Sequence, residues 1–284
     1  MNTFALTFAY NEKFFLPRWV AYYGAQLGVE NLFVLDHGSS DLSCLGLGAA
    51  NILSVPRSPY DEIKRVDFAS HMHRALLDYY DAGFVMDADE FVIADPRKYR
   101  NLAEFADRSV AEALTCIGLE LYHVRALETE FVDSLPILFQ RRHVIFDSWM
   151  CKRSFARIPM QFGGGFHTSN QPTVFDPDLY LIHLKNFNFN HRLLRQATTA
   201  QWSYAGNFGT HAKKPAESVH AVFETVDSLV ATHQITASFD FSKEAELCVE
   251  RTVVNPSGEF DFNLNGGFQG GAVHLVPPEF RDLF

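Results

Sequence analysis

At 284 residues, with 47% hydrophobic and 20% charged residues, the chain has the composition of one folded α/β domain with or without an appendage, which excludes a disordered or low-complexity protein. Its net charge of -10 excludes a nonspecific nucleic-acid binder, because neutralising phosphates requires clustered Lys and Arg. Cys44, Cys116, Cys151 and Cys248 are scattered without metal-ligand spacing and fit a reduced, cytoplasmic setting. No apolar run reaches membrane-spanning length and no basic signal-peptide start precedes the first strand; attachment to the inner membrane surface stays open. The 27 phenylalanines read as a Phe-rich core.

Thr3 to Ala9 reads as a buried first strand, short, apolar and closed by the polar Tyr10-Asn11-Glu12. From Asn11 to Leu27, Phe14, Phe15, Trp19, Val20, Tyr23 and Leu27 recur near helical spacing, with Pro17 tolerated in a first turn and Gly28 as the stop. Asn31 to Leu35 is a second strand, broken by Asp36-His37-Gly38-Ser39-Ser40-Asp41, which completes a βαβ unit. Asn51 to Val55 is a third strand, and Asp61 to Tyr80 a long helix with Ile63, Val66, Phe68, Leu76 and Leu77 on its buried side. A fourth strand ends at Val85-Met86 and delivers Asp87 and Asp89 to its C-terminal edge, where open α/β sheets hold their ligands.

Asp95-Pro96 ends that element, Leu102 to Ala106 is a short helix, and Leu114 to Val124 a further strand that carries Glu120. Tyr180-Leu181-Ile182 is an apolar strand with His183 at its end. Arg192 to Gln201 and Ala216 to His233 read as helices, Asn263 to Gly271 as a glycine-rich loop, and the stretch after Pro277-Pro278 as a tail docked on the body. The expected organisation is a catalytic domain over residues 1–190 and, over 191–284, a helical and loop extension packed on it as an acceptor-side cover or an oligomer contact.

Two carboxylates at a strand end suit a hard divalent cation, whose remaining coordination sites a diphosphate fills, although a solvated acidic turn reads equally well from Asp-x-Asp alone. Asp36 and Asp41 suit either ligand contact or Asx turns around Gly38. Glu120, an acid in an apolar strand, is either paired in the core or pointed at a site. His183 can complete a coordination sphere or sit hydrogen-bonded at a rim. His167 follows Gly163-Gly164-Gly165, which lets backbone approach a ligand but also makes an ordinary loop. Arg153, Arg157 and Lys185 could offset phosphate charge or be solvated.

Tyr10-Asn11-Glu12, Leu35-Asp36-His37-Gly38-Ser39-Ser40-Asp41 and Met86-Asp87-Ala88-Asp89-Glu90 together resemble the nucleotide-sugar half of a family 2 type glycosyltransferase with a GT-A fold. The likeness is to a bacterial subgroup whose first helix carries E-x-x-x-L-x-x-W, which Glu12, Leu16 and Trp19 approximate. It is specific over residues 4 to 95. The later Arg-x-x-x-Arg, Gly-rich turn with His, and His-x-Lys resemble that subgroup's second half. The resemblance implies a Rossmann-like mixed sheet flanked by helices and an inverting, metal-dependent transfer of a sugar from a nucleoside diphosphate sugar. The acceptor would be a hydroxyl of a glycan or glycolipid, as in polysaccharide synthesis. It implies Tyr10, Asn11, Glu12, Asp36, Gly38 and Asp87 around the nucleoside, and Asp87, Asp89 and His183 on Mn2+ or Mg2+. Arg153, Arg157 and Lys185 would hold the diphosphate. The family's usual base, an acidic pair shortly before the late histidine, has no clean match, since Asp176-Pro177-Asp178 reads first as a turn; His167, whose ordinary pKa suits proton acceptance near neutrality, is the expected general base, with Glu120 in reserve. His37 replaces an aspartate that reads the uracil edge in the commoner pattern, so UDP is the favoured but not the assured donor nucleotide.

Two other functions fit parts of the pattern. A haloacid-dehalogenase-type phosphatase also places Asp-x-Asp after an apolar strand, but earlier in the chain and with Thr or Val where Phe91 stands. A non-catalytic nucleotide or sugar-binding module could keep the fold without turnover. A sugar-nucleotide pyrophosphorylase would need a Gly-rich, Arg-containing loop after the first strand, which is missing.

Overall fold

The computed structural model describes residues 1–206, 213–232 and 235–284. Strand β1 (Thr3–Ala9) has the expected bounds and lies between β2 (Leu32–Asp36) and β4 (Ala82–Val85), with β3 (Asn51–Ser54) beyond β2; all three pairings are parallel. The resulting order β3-β2-β1-β4 is that of a Rossmann-like half. Helix α1 (Phe15–Leu27) covers one face, packing Phe15, Trp19 and Tyr23 into the cluster that holds Ala5 and Ala9. Helix α2 (Glu62–Leu76) covers the other, packing Val66 and Ala69 with Phe4 and Leu6. Alternate residues of β1 therefore meet different helices, so the strand is apolar on both faces and its sequence reads as a continuous apolar run.

Helix α1 starts four residues later than Asn11. Asn11 sits at φ 54°, gives its N–H to Ser39 Oγ at 3.0 Å and accepts the Ser40 N–H at 2.9 Å. A left-handed residue cannot continue an α-helix, so this residue ties the loop after β1 to the loop after β2 instead. Helix α2 begins where Asp61 accepts from the Ile63 and Lys64 N–H groups, a side-chain cap that fixes its first turn at the mouth of the cleft.

After the Asp-x-Asp turn come β5 (Glu90–Ala94), α3 (Leu102–Arg108), β6 (Ala113–Tyr122), α4 (Ile137–Gln140), β7 (His143–Phe146), β8 (Phe155–Ala156) and β9 (Phe175–Asn186). Strand β8 pairs antiparallel with both β4 and β6 and so bridges the two halves of one eleven-stranded mixed sheet. Strand β6, buried along its whole length, pairs parallel with β9 and antiparallel with β7, and β5 lies antiparallel to β9. Strand β9 is longer than expected: Asp176-Pro177-Asp178, read as a turn, is its irregular start, where a proline is tolerated. His183 accordingly lies inside the strand rather than at its end.

The chain then runs through α5 (Phe189–Thr199), α6 (Ala216–Ala231), β10 (Ile235–Thr236), α7 (Ser242–Arg251), β11 (Val253–Val254), β12 (Phe260–Asp261) and β13 (Val273–Leu275). His233, where α6 was expected to end, lies outside the described residues. Strands β10 and β13 extend the large sheet beside β7, while β11 and β12 form a separate ribbon. The tail docks as expected: Phe280 is buried and Phe284 stacks on Phe91 at 4.2 Å between ring centres. All four cysteines are free thiols. Among the described residues no helix is long and apolar enough to cross a membrane.

Candidate active site

A cleft of about 780 Å³ opens at the carboxyl edge of β1 and β4. Its floor is the Asp-x-Asp turn, closed by a hydrogen bond from the Glu90 N–H to the Asp87 carbonyl (3.1 Å) and tied to β9 by the Leu184 N–H on the Asp89 carbonyl (2.9 Å). The sheet register sets Glu90 of β5, His183 of β9 and Glu120 of β6 abreast, so one row of side chains places an imidazole between two acids.

The acids of the floor are paired with fixed cations. Lys152, 2% exposed, directs Nζ to Glu90 Oε1 at 2.5 Å and to Asp87 Oδ2 at 3.2 Å. Arg65 of α2 spans Asp87 Oδ1 at 2.5 Å and Glu62 Oε1 at 2.8 Å. Arg195 of α5 donates to both oxygens of Glu12, at 2.6 and 2.7 Å, and lies 3.5 Å from Asp89 Oδ2. Burial pushes the Asp87 carboxyl up, but Arg65 and Lys152 prevail and hold it at about 2. Burial likewise raises Asp89, and Arg195 and His183 bring it well below the usual carboxylate range.

Glu120 takes the role of a partner. Its Oε2 lies 2.6 Å from His183 Nδ1 and its Oε1 accepts from Asn186, and it does not reach the cleft. Burial disfavours a charged His183, yet Glu120 and Asp89 raise its pKa to about 10. His167 does line the cleft, with Nδ1 2.7 Å from the Trp149 carbonyl, which assigns the ring proton to Nδ1 and leaves Nε2 as an acceptor. Burial and the Lys152 charge lower its pKa to about 3. A base so weak suits accepting a hydrogen bond from a hydroxyl better than removing its proton at neutrality.

The other end of the cleft is aromatic. The Arg57 guanidinium lies 3.6 Å above the Tyr10 ring, and Trp202 meets Tyr10 edge-on at 5.2 Å. The segment carrying Trp202 is held by the Tyr60 N–H on the Ser203 carbonyl (2.7 Å) and the Ala205 N–H on the Tyr60 carbonyl (2.8 Å). His37 also lines this end, its Nδ1 accepting from Arg57 at 2.8 Å.

Of the residues expected in the site, Tyr10, Glu12, Asp87, Asp89, His167, His183 and Lys185 meet in this cleft, and the rest do not. Asp36 turns inward to the Ser39 N–H and Ser54 Oγ, at 2.8 and 3.0 Å, as the Asx-turn alternative has it. Gly38 at φ 68° leaves no room for a side chain, since a Cβ would stand 2.7 Å from the Arg57 nitrogen; with Asn11 it shapes the loop and does not line the cleft. Arg153 is buried against Thr173 and Phe262, and burial lowers its pKa to about 10. Arg157 binds the carbonyls of Ala106 and Ser109 beside Met1, at the amino edge of the sheet. Lys152, Arg65, Arg192, Arg195 and Trp202 are among the cleft residues that sequence reasoning missed. The segment after residue 190 thus contributes directly to the site.

The implied Mn2+ or Mg2+ fits poorly here. Both Asp87 oxygens already accept from cations, and His183 Nδ1 is engaged by Glu120 Oε2 at 2.6 Å. Among the described residues no three His, Cys, Asp or Glu side chains are arranged to hold a metal ion.

Comparison with models of known protein families finds no match, and comparison with curated proteins finds none either. Among solved structures, a cytidylyltransferase from Leptospira borgpetersenii serovar Hardjo-bovis matches at 16% identity and a TM-score of 0.26, over 41% of this chain and 54% of that one. This chain therefore spans about half the length of that protein. A mannose-1-phosphate geranyltransferase from Thermus thermophilus matches at 12% identity and a TM-score of 0.28, over 78% and 68% of the two chains. A CMP:2-keto-3-deoxy-manno-octonic acid synthetase in complex with CTP matches at 11% and 0.29, over 82% and 100%. At identities and TM-scores this low, the likeness carries no functional argument.

Proposed function

We propose that the protein is a glycosyltransferase that moves a sugar from a nucleoside diphosphate sugar, with UDP as the favoured nucleotide, to a hydroxyl of a glycan or glycolipid acceptor. The observation that carries this reading is the meeting, in one cleft at the carboxyl edge of a Rossmann-like half, of the Asp-x-Asp turn with Lys185, Arg195 and an aromatic end. Tyr10 and Trp202 offer ring faces and edges to a nucleoside, and the cations offer charge to the leaving diphosphate, where negative charge develops in transfer. Attack by the acceptor hydroxyl on the anomeric carbon opposite the diphosphate gives inversion, and His167 Nε2 is the acceptor available to orient that hydroxyl.

Nucleotidyl transfer, which joins a nucleotide to a sugar phosphate, is less well supported. The loop after β1, Tyr10-Asn11-Glu12-Lys13-Phe14, has no glycine, and its Asn11 and Glu12 N–H groups are already given to Ser39 Oγ and Ser43 Oγ rather than turned to a triphosphate. The test is product analysis with a panel of UDP-, GDP- and TDP-hexoses and a mixed glycan and glycolipid acceptor extract. Release of a nucleoside diphosphate coupled to glycosylated acceptor is the expected result. Release of pyrophosphate from a nucleoside triphosphate and a sugar phosphate would overturn it.

A further inference from the structure

We propose that this cleft binds the donor diphosphate without a divalent cation, Lys152 serving as the fixed counter-charge of the Asp-x-Asp turn while Lys185 and Arg192 take the phosphate oxygens. The inference rests on the nucleotide-sugar reading of the same cleft and deepens it.

A divalent ion on an Asp-x-Asp turn needs free carboxylate lone pairs. Here cations already take the oxygens of Asp87 and one of Glu90: Lys152 Nζ is 2.5 Å from Glu90 and 3.2 Å from Asp87, Arg65 takes the other Asp87 oxygen, and Arg195 lies 3.5 Å from Asp89. Lys152 is buried and enters from the strand-like segment beside β4 and β6, where the Val85 N–H binds the Ser154 carbonyl and the Cys116 N–H binds the Lys152 carbonyl, at 2.9 Å each. Its backbone is thereby fixed on both sides, and burial of its stem together with the Glu90 and Asp87 contacts holds the ammonium at the floor.

Those cations are committed to the floor, and two others in the cleft are not. Lys185, at the end of β9, and Arg192, in the first turns of α5, both line the cleft, and neither forms an ion pair with a carboxylate among the described residues. Arg192 donates to Gln196 Oε1 at 2.7 Å, a neutral partner that leaves its charge uncompensated. Burial, and after it the nearby Arg192 charge, lower the Lys185 pKa against the pull of Glu120. Two half-buried cations lining one cleft are relieved by one multiply charged anion, and a diphosphate supplies oxygens for both. Arg195, next along the same helix face, is anchored by Glu12 and backs the pair.

The experiment is calorimetric titration of the full chain with UDP and with GDP, once in excess EDTA and once in excess manganese chloride. The expected result is one nucleotide that binds with the same Kd in both. The Lys185→Met, Arg192→Met double variant should then bind it about tenfold or more weakly, the scale of losing charge-assisted hydrogen bonds, while uridine or guanosine binds as before. A Lys185→Arg variant, which keeps the charge, should retain affinity, and melting curves establish that both variants fold. Binding that appears only with manganese overturns the inference and leaves the glycosyltransferase reading intact. Binding in EDTA that the double variant does not weaken also overturns it. No binding of either nucleotide under either condition removes both the inference and the reading beneath it.

Discussion

The charged floor of the cleft and the apolar layer beneath helix α2 both bury ionisable side chains, and they treat them in opposite ways. Lys152, 2% exposed, keeps its charge: burial opposes it, but Glu90 and Asp87 prevail and raise its pKa. His73, 0% exposed on α2, lies between Phe4 and Phe162 with neither ring nitrogen hydrogen-bonded among the described residues, and burial alone lowers its pKa to about 4. The same helix carries Arg65 toward the floor and His73 toward the core, eight residues apart. Burial alone therefore does not decide whether a group stays ionised; the presence of a partner does. In the floor the fold retains charge at the cleft, and in the core it excludes it.

Breaking the floor should have the largest effect. Lys152→Met leaves Asp87 and Glu90 desolvated without their shared cation and should lower stability by about 3–5 kcal/mol, the scale of orphaning a buried charge. Urea unfolding followed by circular dichroism measures this. Adding Glu90→Gln to Lys152→Met should recover part of the loss, because it removes the orphaned charge itself. Equal stability of the single and double variants would mean that the floor is not a coupled ion network.

The core histidine sharpens the other side of the comparison through pH. Its folded pKa of about 4 lies below the ordinary value of 6.5, so the neutral form is the one that folding favours. Its contribution is fully present above pH 6.5 and is lost as the pH falls from 6.5 toward 4, where the unfolded chain takes up a proton that the folded chain does not. The separation corresponds to about 3 kcal/mol over that window. His73→Leu, close in volume, should flatten this part of the stability profile while leaving stability above pH 6.5 equal or higher, because two unpartnered buried nitrogens are removed. A profile as steep as the parent's would assign the acid sensitivity to other groups.

The sequence shows the first of these regions only in part. Strands β1 to β4 are legible because both faces are covered, which leaves short apolar runs between polar loops, and the Asp-x-Asp turn stands out at the end of one. The floor's cations are not legible because their partners are distant in the chain: Lys152 and Glu90 are 62 residues apart, and Arg195 and Glu12 are 183 apart. A local signal existed for two of them. Arg65 lies three residues after Glu62 on a helix that opens at a strand edge, and Arg192 and Arg195 share one face of α5. The basic block around β8 misleads for a simple reason. Side chains alternate along an extended segment, so Lys152 faces the cleft and Arg153 faces away from it. Short elements such as β7, β8 and β13 carry too few residues to show a period; β7 and β8 form against the long strand β6, and β13 in turn pairs with β7.

The smallest effect is expected at Arg157, which sequence spacing assigns to the diphosphate. Its guanidinium instead binds the carbonyls of Ala106 and Ser109, the latter at 2.6 Å, at the C-terminal end of α3, where backbone acceptors have no helical partners. A cation there satisfies those carbonyls and complements the helix dipole, an arrangement worth about 1 kcal/mol at a partly exposed site. The location is the amino edge of the sheet, beside Met1, and the cleft lies at the carboxyl edge. Arg157→Ala should therefore lower the melting temperature slightly and leave the nucleoside diphosphate Kd and the rate of sugar transfer unchanged. Arg192→Ala in the same assays should weaken the nucleotide with little change in melting, since among the described residues it loses one hydrogen bond to the neutral Gln196 and no ion pair. If Arg157→Ala weakened nucleotide binding while its melting curve matched the parent's, the long-range field of this guanidinium, rather than contact, would have to reach the phosphates. The effect would then fade as salt is raised, because a charge at that distance is screened where a direct hydrogen bond is not.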